Sequence, residues 1–127
     1  MSDYLTYRPR ALVDDIKLNE CTIHRASGST AARWWLLWFY VCRDTDKQPE
    51  VFCVPVNPRG SYAENGPGGR TWGLSSVAHG VWQVSPSINV LGSRDAQAGA
   101  SSDSIWHHTP TITGVPDDEP WARGDLP

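Results

Sequence analysis

Three cysteines and four histidines are the residues of this chain most suited to metal chemistry. Cys21-Thr22-Ile23-His24 sets a thiol and an imidazole two residues apart. Cys42 and Cys53 flank a polar turn, and a symmetric hairpin across it would set them opposite one another. Cys21, His24, Cys42 and Cys53 together would supply the Cys3His donors of a structural zinc site, because that borderline-soft cation takes sulfur and nitrogen ligands. The spacing follows no recognised zinc pattern. The competing reading is three reduced thiols packed as small apolar side chains. The chain begins Met1-Ser2-Asp3-Tyr4, with no basic stretch followed by an apolar one, so a cytoplasmic protein with reduced cysteines is expected. The expectation is no cofactor, with zinc as the alternative.

His79, His107 and His108 could hold a catalytic metal with an open position, as in a metal-dependent hydrolase. Adjacent residues of a strand face opposite sides, so only one of His107 and His108 could join His79. Ser75, Ser76, Ser85 and Ser87 stand near histidines, but none lies in a nucleophile elbow. Asn65-Gly66-Pro67-Gly68-Gly69-Arg70 could cradle an anion with its amides, although Pro67 removes one donor and no Gly-Lys-Ser/Thr follows. None of these makes a convergent catalytic set, and the chain is expected not to be an enzyme.

The aromatic residues point elsewhere. Seven of the 127 residues are Trp, and Arg supplies nine of the eleven positive charges. Trp and Arg dominate binding hot spots, and a domain of this size seldom buries seven indoles completely. Arg70 and Trp72 beside the glycine-rich loop, with Arg59, Trp82, Trp106 and His107, are the candidate binding residues. The stacking of sugars or nucleotides on indole faces is an alternative use of the same side chains.

The elements that must carry these residues are strands. Gly and Pro number 11 and 10, a composition of short strands and turns. Arg33 to Cys42 is apolar on both alternating faces and rich in aromatics, which predicts a buried strand. Val51 to Val56 follows as its hairpin partner, with Pro55 marking an edge or a strand end. A short helix near Ala11 to Leu18 is a further expectation, and 57–70 reads as a long Gly/Pro loop. The longest apolar run, Trp34 to Cys42, is about half of what a membrane helix needs. Residues 1 to 94 carry a net charge of +2 and residues 95 to 127 one of −5, giving −3 overall. No basic stripe favours nucleic acid, and the acidic end at 114–127 is expected to be an extended tail, anchored by Trp121. Arg123-Gly124-Asp125 spells an adhesion tripeptide, which carries little weight at the end of a chain without an export signal.

Val81-Trp82-Gln83-Val84-Ser85-Pro86-Ser87-Ile88-Asn89 and Ile105-Trp106-His107-His108-Thr109-Pro110-Thr111-Ile112-Thr113 form an internal repeat 24 residues apart. Each is expected to be one strand, with Trp82, Val84, Pro86, Ile88 and Val90 on one face of the first, and Trp106, His108, Pro110 and Ile112 on one face of the second. These segments, with Gly114-Val115-Pro116-Asp117-Asp118-Glu119-Pro120-Trp121, resemble a pattern in short bacteriophage and prophage proteins of unknown function. The likeness spans roughly residues 70 to 121. It transfers no catalytic residue, but implies a phage setting in which small accessory proteins serve virion assembly or block host defences.

The sequence therefore predicts one mainly β domain over residues 1–127, a small β-sandwich or partly open barrel with little helix. The function expected is a non-enzymatic viral accessory protein that binds a host or viral protein, such as an inhibitor of a bacterial defence system. A virion structural or assembly component, forming a homo-oligomer, is the sibling reading.

Overall fold

The computed structural model describes residues 3–25, 35–58, 71–92, 96–97 and 104–125. Among the described residues, ten strands carry the fold. Seven of them, β1 (Tyr4–Tyr7), β2 (Glu20–Arg25), β3 (Trp35–Cys42), β4 (Pro49–Asn57), β5 (Trp72–Ala78), β6 (Val81–Ser85) and β10 (Thr111–Thr113), close into a barrel in the order β1-β10-β6-β5-β4-β3-β2. The other three, β7 (Ile88–Leu91), β8 (Ala96–Gln97) and β9 (Ser104–His108), form a small sheet in the order β8-β7-β9. The barrel is closed rather than sandwiched or partly open, and closure leaves its sheet with no end strand.

The aromatic hairpin forms one wall. Along β3 burial alternates residue by residue, with Trp35, Leu37, Phe39 and Val41 inside. On β4, Phe52, Val54 and Val56 meet them. The turn is tighter than a symmetric hairpin. Arg43 holds the Asp46 carboxylate through Nε and Nη2, the Asp46 carboxylate accepts from Gln48 N, and Lys47 takes a left-handed backbone. The register is thereby shifted, pairing Cys42 with Pro49 and Trp38 with Cys53. Pro55 does not stand on an end strand. It lies just before the β4–β5 ladder, which pairs only Val56 and Asn57, so its missing N–H interrupts no rung there.

The repeat is built differently from its expected form. Each copy is two strands, broken at its proline, and the halves belong to different sheets. The first copy leaves the barrel after β6, turns at Pro86 and enters the small sheet as β7. The second does the reverse, from β9 through Pro110 into β10. The copies run antiparallel, β6 against β10 and β7 against β9. The two Trp-Pro-Ile units therefore tie the two sheets together at both corners. The expected alternation holds only in part: Val84, Ile88, Val90, Trp106, Pro110 and Ile112 are buried, but Trp82, Pro86 and His108 are half-buried, and Asn89, expected on the other face, is buried as well.

The barrel interior is filled and stoppered. Trp106, from the small sheet, packs on Phe39 (5.0 Å) and Phe52 (6.3 Å). Trp121 packs edge-on against Tyr7 (5.6 Å) and Trp82 (5.1 Å), where β1 and β2 finish and β3 begins. Trp121 sits on a single helical turn, α1 (Pro120–Arg123), started by Pro120 and ended by Gly124 in a left-handed conformation. Residues 114–125 are thus held at the barrel end by Trp121, the anchor expected for them, which acts as a plug. The segment is fixed further back by Val115, whose N–H donates to Gly80 O (3.1 Å). Gly80 has φ +73°, and a Cβ there would stand 3.3 Å from Val115 O, so both its backbone and its neighbour call for glycine. The expected helix at 11–18 reduces to one 3-10 turn, Val13–Asp15. Its apolar residues Leu12 and Leu18 are exposed, so no buried stripe supports a longer helix.

Candidate functional site

The outer wall of the hairpin carries side chains of unexpected type. Strand alternation that sends Phe39 inward sends its neighbours out. Leu36, Trp38 and Tyr40 of β3, and Val51, Cys53 and Pro55 of β4, form one outward patch through the pairs Leu36–Pro55, Trp38–Cys53 and Tyr40–Val51. Val51 and Cys53 are exposed and the other four half-buried. No charged side chain stands among the six. An ordinary barrel wall would alternate apolar inside with polar outside.

A second feature lies at the barrel end closed by Trp121. A cavity of about 330 Å3 is lined there by Arg10, His24, Arg25, Trp35, Glu119 and Trp121, with Ile23 and Pro120. Arg25 and Trp35 form the last rung of the β2–β3 ladder, and the Arg25 guanidinium stands 5.5 Å from the Trp35 ring centre. Glu119 is buried at 5 % exposure. The Tyr7 hydroxyl donates to its Oε2 (3.0 Å) and itself accepts from Trp121 Nε1 (2.9 Å). Desolvation pushes the Tyr7 phenol well above its ordinary pKa, with the nearby Glu119 charge adding to it. His24 Nε2 donates to Ala11 O at 2.8 Å, which fixes its ring at the cavity wall.

The four thiol and imidazole donors do not converge. Cys21 faces the barrel core, while Cys53 is exposed on the outer wall one strand beyond its neighbour, β3. Cys42 lies four residues along β3 from the Trp38–Cys53 pair. The shifted hairpin register is the physical reason, since it moves Cys42 away from Cys53. Burial pushes the Cys21 thiol far above its usual range. Among the described residues no group of three or more metal-ligating side chains occurs.

The histidines also part company. His79 pairs with Asp117 at the surface (3.0 Å). His107 Nε2 lies 2.9 Å from Ser87 Oγ. The His108 ring lies between Asp3 (2.6 Å) and Asp44 (2.7 Å) and sits tilted against Trp106. The Asp44 carboxylate reaches His107 only through its backbone N–H, so Ser87, His107 and Asp44 do not form a triad.

Of the expected binding residues, Arg59 and Arg70 lie outside the described residues, as does the 59–70 part of the loop. Trp72 and Trp106 are core residues at 1 % exposure each, and Trp72 Nε1 donates inward to Ser87 O (3.1 Å). Neither offers its indole to a partner: Trp72 is turned inward on β5, and Trp106, on the small sheet, packs on Phe39 and Phe52. Trp82 is half-buried against Trp121, and His107 is half-buried on β9. Trp38 was the better outward candidate. Its opposite parity to Trp35 is readable in the sequence for any strand over these residues. Arg123 and Asp125 of the adhesion-like tripeptide pair with each other at 2.8 Å.

No protein-family model, no curated protein and no solved structure matches this chain.

Proposed function

We propose that the protein is a non-enzymatic binding module that docks on a host or viral protein through the outer wall of β3 and β4. The observation that carries this reading is the uncharged patch of Leu36, Trp38, Tyr40, Val51, Cys53 and Pro55. Apolar side chains left partly uncovered on a strand wall mark interaction sites; here Val51 and Cys53 are exposed, with Trp38 and Tyr40, side chains of the kind that anchor such sites, half-buried beside them. The resemblance of the C-terminal half to short phage proteins supports a phage accessory role, with inhibition of a bacterial defence protein as the leading form of it. The scattered histidines and thiols supply no competing centre among the described residues.

The test is affinity capture from host cells with the full chain and with a Trp38→Ser/Val51→Ser variant whose fold is checked by circular dichroism. The expected result is a defined host or viral protein retained by the parent and lost from the variant. Identical capture by both would overturn the assignment. Light scattering separates the sibling reading, since a virion component would form oligomers that the same variant breaks.

A further inference from the structure

We infer that the cavity beside Trp121 is a binding site for a compact organic oxyanion that also carries an N–H donor. It is separate from the outer wall of β3 and β4. Three observations converge on it. The first is charge. Arg10 and Arg25 line the opening, both with exposed side chains, and both bring guanidinium groups that match carboxylate or phosphate oxygens. Arg10 has a left-handed backbone and makes no ion pair among the described residues.

The second is Glu119. A carboxylate this deeply buried is usually paired or fully hydrogen-bonded. Here Oε2 accepts from Tyr7, while Oε1 has no partner among the described residues and its side chain lines the cavity. It is an acceptor open to the cavity. A bare anion would be repelled by it, whereas an amine, amide or ring N–H would be held.

The third is size and lining. The cavity lies near the lower end of the ~300–1,000 Å3 usual for small-molecule pockets. Trp35, Trp121 and Pro120 give it apolar walls. A ligand that places its oxyanion at Arg10 and Arg25, and its N–H at Glu119, satisfies all three at once. Acidic amino acids and nucleoside monophosphates both have this chemistry.

Calorimetric titration of the full chain tests it, with L-glutamate, guanosine monophosphate and inorganic phosphate as separate probes. Saturable binding of one organic probe is expected, at least roughly tenfold tighter than phosphate, which is the scale of one charge-assisted hydrogen bond. Which organic probe binds identifies the source. Arg10→Gln, at an exposed position, should weaken that binding about tenfold. Glu119→Gln should weaken the organic probe while strengthening inorganic phosphate, a crossing of affinities that a merely misfolded variant would not produce. Failure of both organic probes to bind, phosphate binding as tightly as either, or affinities unmoved by Arg10→Gln would each overturn the inference.

Discussion

Asp44 closes the free side of β9 by holding His107. Its carboxylate accepts from the His107 backbone N–H at 2.9 Å, and its own N–H donates to Ile105 O at 2.7 Å. The same carboxylate lies 2.7 Å from Nε2 of His108. One turn residue between β3 and β4 thus does for β9 what a neighbouring strand would do, and it ties the small sheet to the barrel.

Asp44→Ala should therefore loosen the small sheet before the barrel. In hydrogen exchange, the His107 amide is expected to lose protection while amides of β3 and β4 keep theirs. A uniform loss across both sheets, or none at His107, would contradict this arrangement. The freed edge should also raise self-association at high concentration.

The chain Trp121–Tyr7–Glu119 is buried, and each member relies on the hydroxyl of Tyr7. Tyr7→Phe removes that hydroxyl and leaves an indole N–H and a carboxylate oxygen without it. The expected cost is about 1–3 kcal/mol, read as a lower urea midpoint with an unchanged slope. An unaltered midpoint would mean that water replaces the hydroxyl without loss.

Alkaline conditions should destabilise the protein earlier than usual. Burial raises the Tyr7 phenol above its ordinary 10.0 and the Cys21 thiol above its ordinary 9.0. Both groups hold their protons more tightly when folded. Their contribution is fully present below those ordinary values. It falls as pH rises past them, because the unfolded chain ionises first. Each group adds a slope of up to about 1.4 kcal/mol per pH unit. Urea midpoints from pH 7 to 11 should stay level to about pH 9 and then decline, less steeply in the Tyr7→Phe variant.

Thiol labelling should separate the cysteines. Cys21 is enclosed in the core and Cys53 exposed on the wall. Native protein treated with iodoacetamide should react at Cys53, slowly because burial pushes that thiol up to about 12, and leave Cys21 intact until denaturant is added, as read by peptide mass. Early reaction of Cys21 would show that the barrel opens on the labelling timescale.

Much of the fold was legible in the sequence. The alternation of Trp35, Leu37, Phe39 and Val41 with Leu36, Trp38 and Tyr40 gave the strand, and turn residues gave the hairpin. What was hidden depends on distant parts of the chain. The register of that hairpin is set by Arg43, Asp46 and Lys47, whose local bonding shortens the turn. The break of each repeat at Pro86 and Pro110 follows from two sheets competing for one segment. Trp72 looked like a contact residue because it follows a glycine-rich loop, yet the β4–β5 pairing turns it inward. Glu119 drew no notice, since an acidic, proline-bounded stretch reads as solvated until Tyr7 and Trp121, more than a hundred residues apart, are brought beside it.

Two indoles cork this cylinder, Trp106 at one opening and Trp121 at the other. A seven-strand tube is barely wide enough for its own side chains, and here Leu37, Phe39, Val54 and Ile112 lie in its core. Such a molecule cannot ferry cargo along its axis as wider barrels do. Whatever it recognises must be met on its outer skin or at its rim, where a rigid, pre-shaped body loses little freedom on contact.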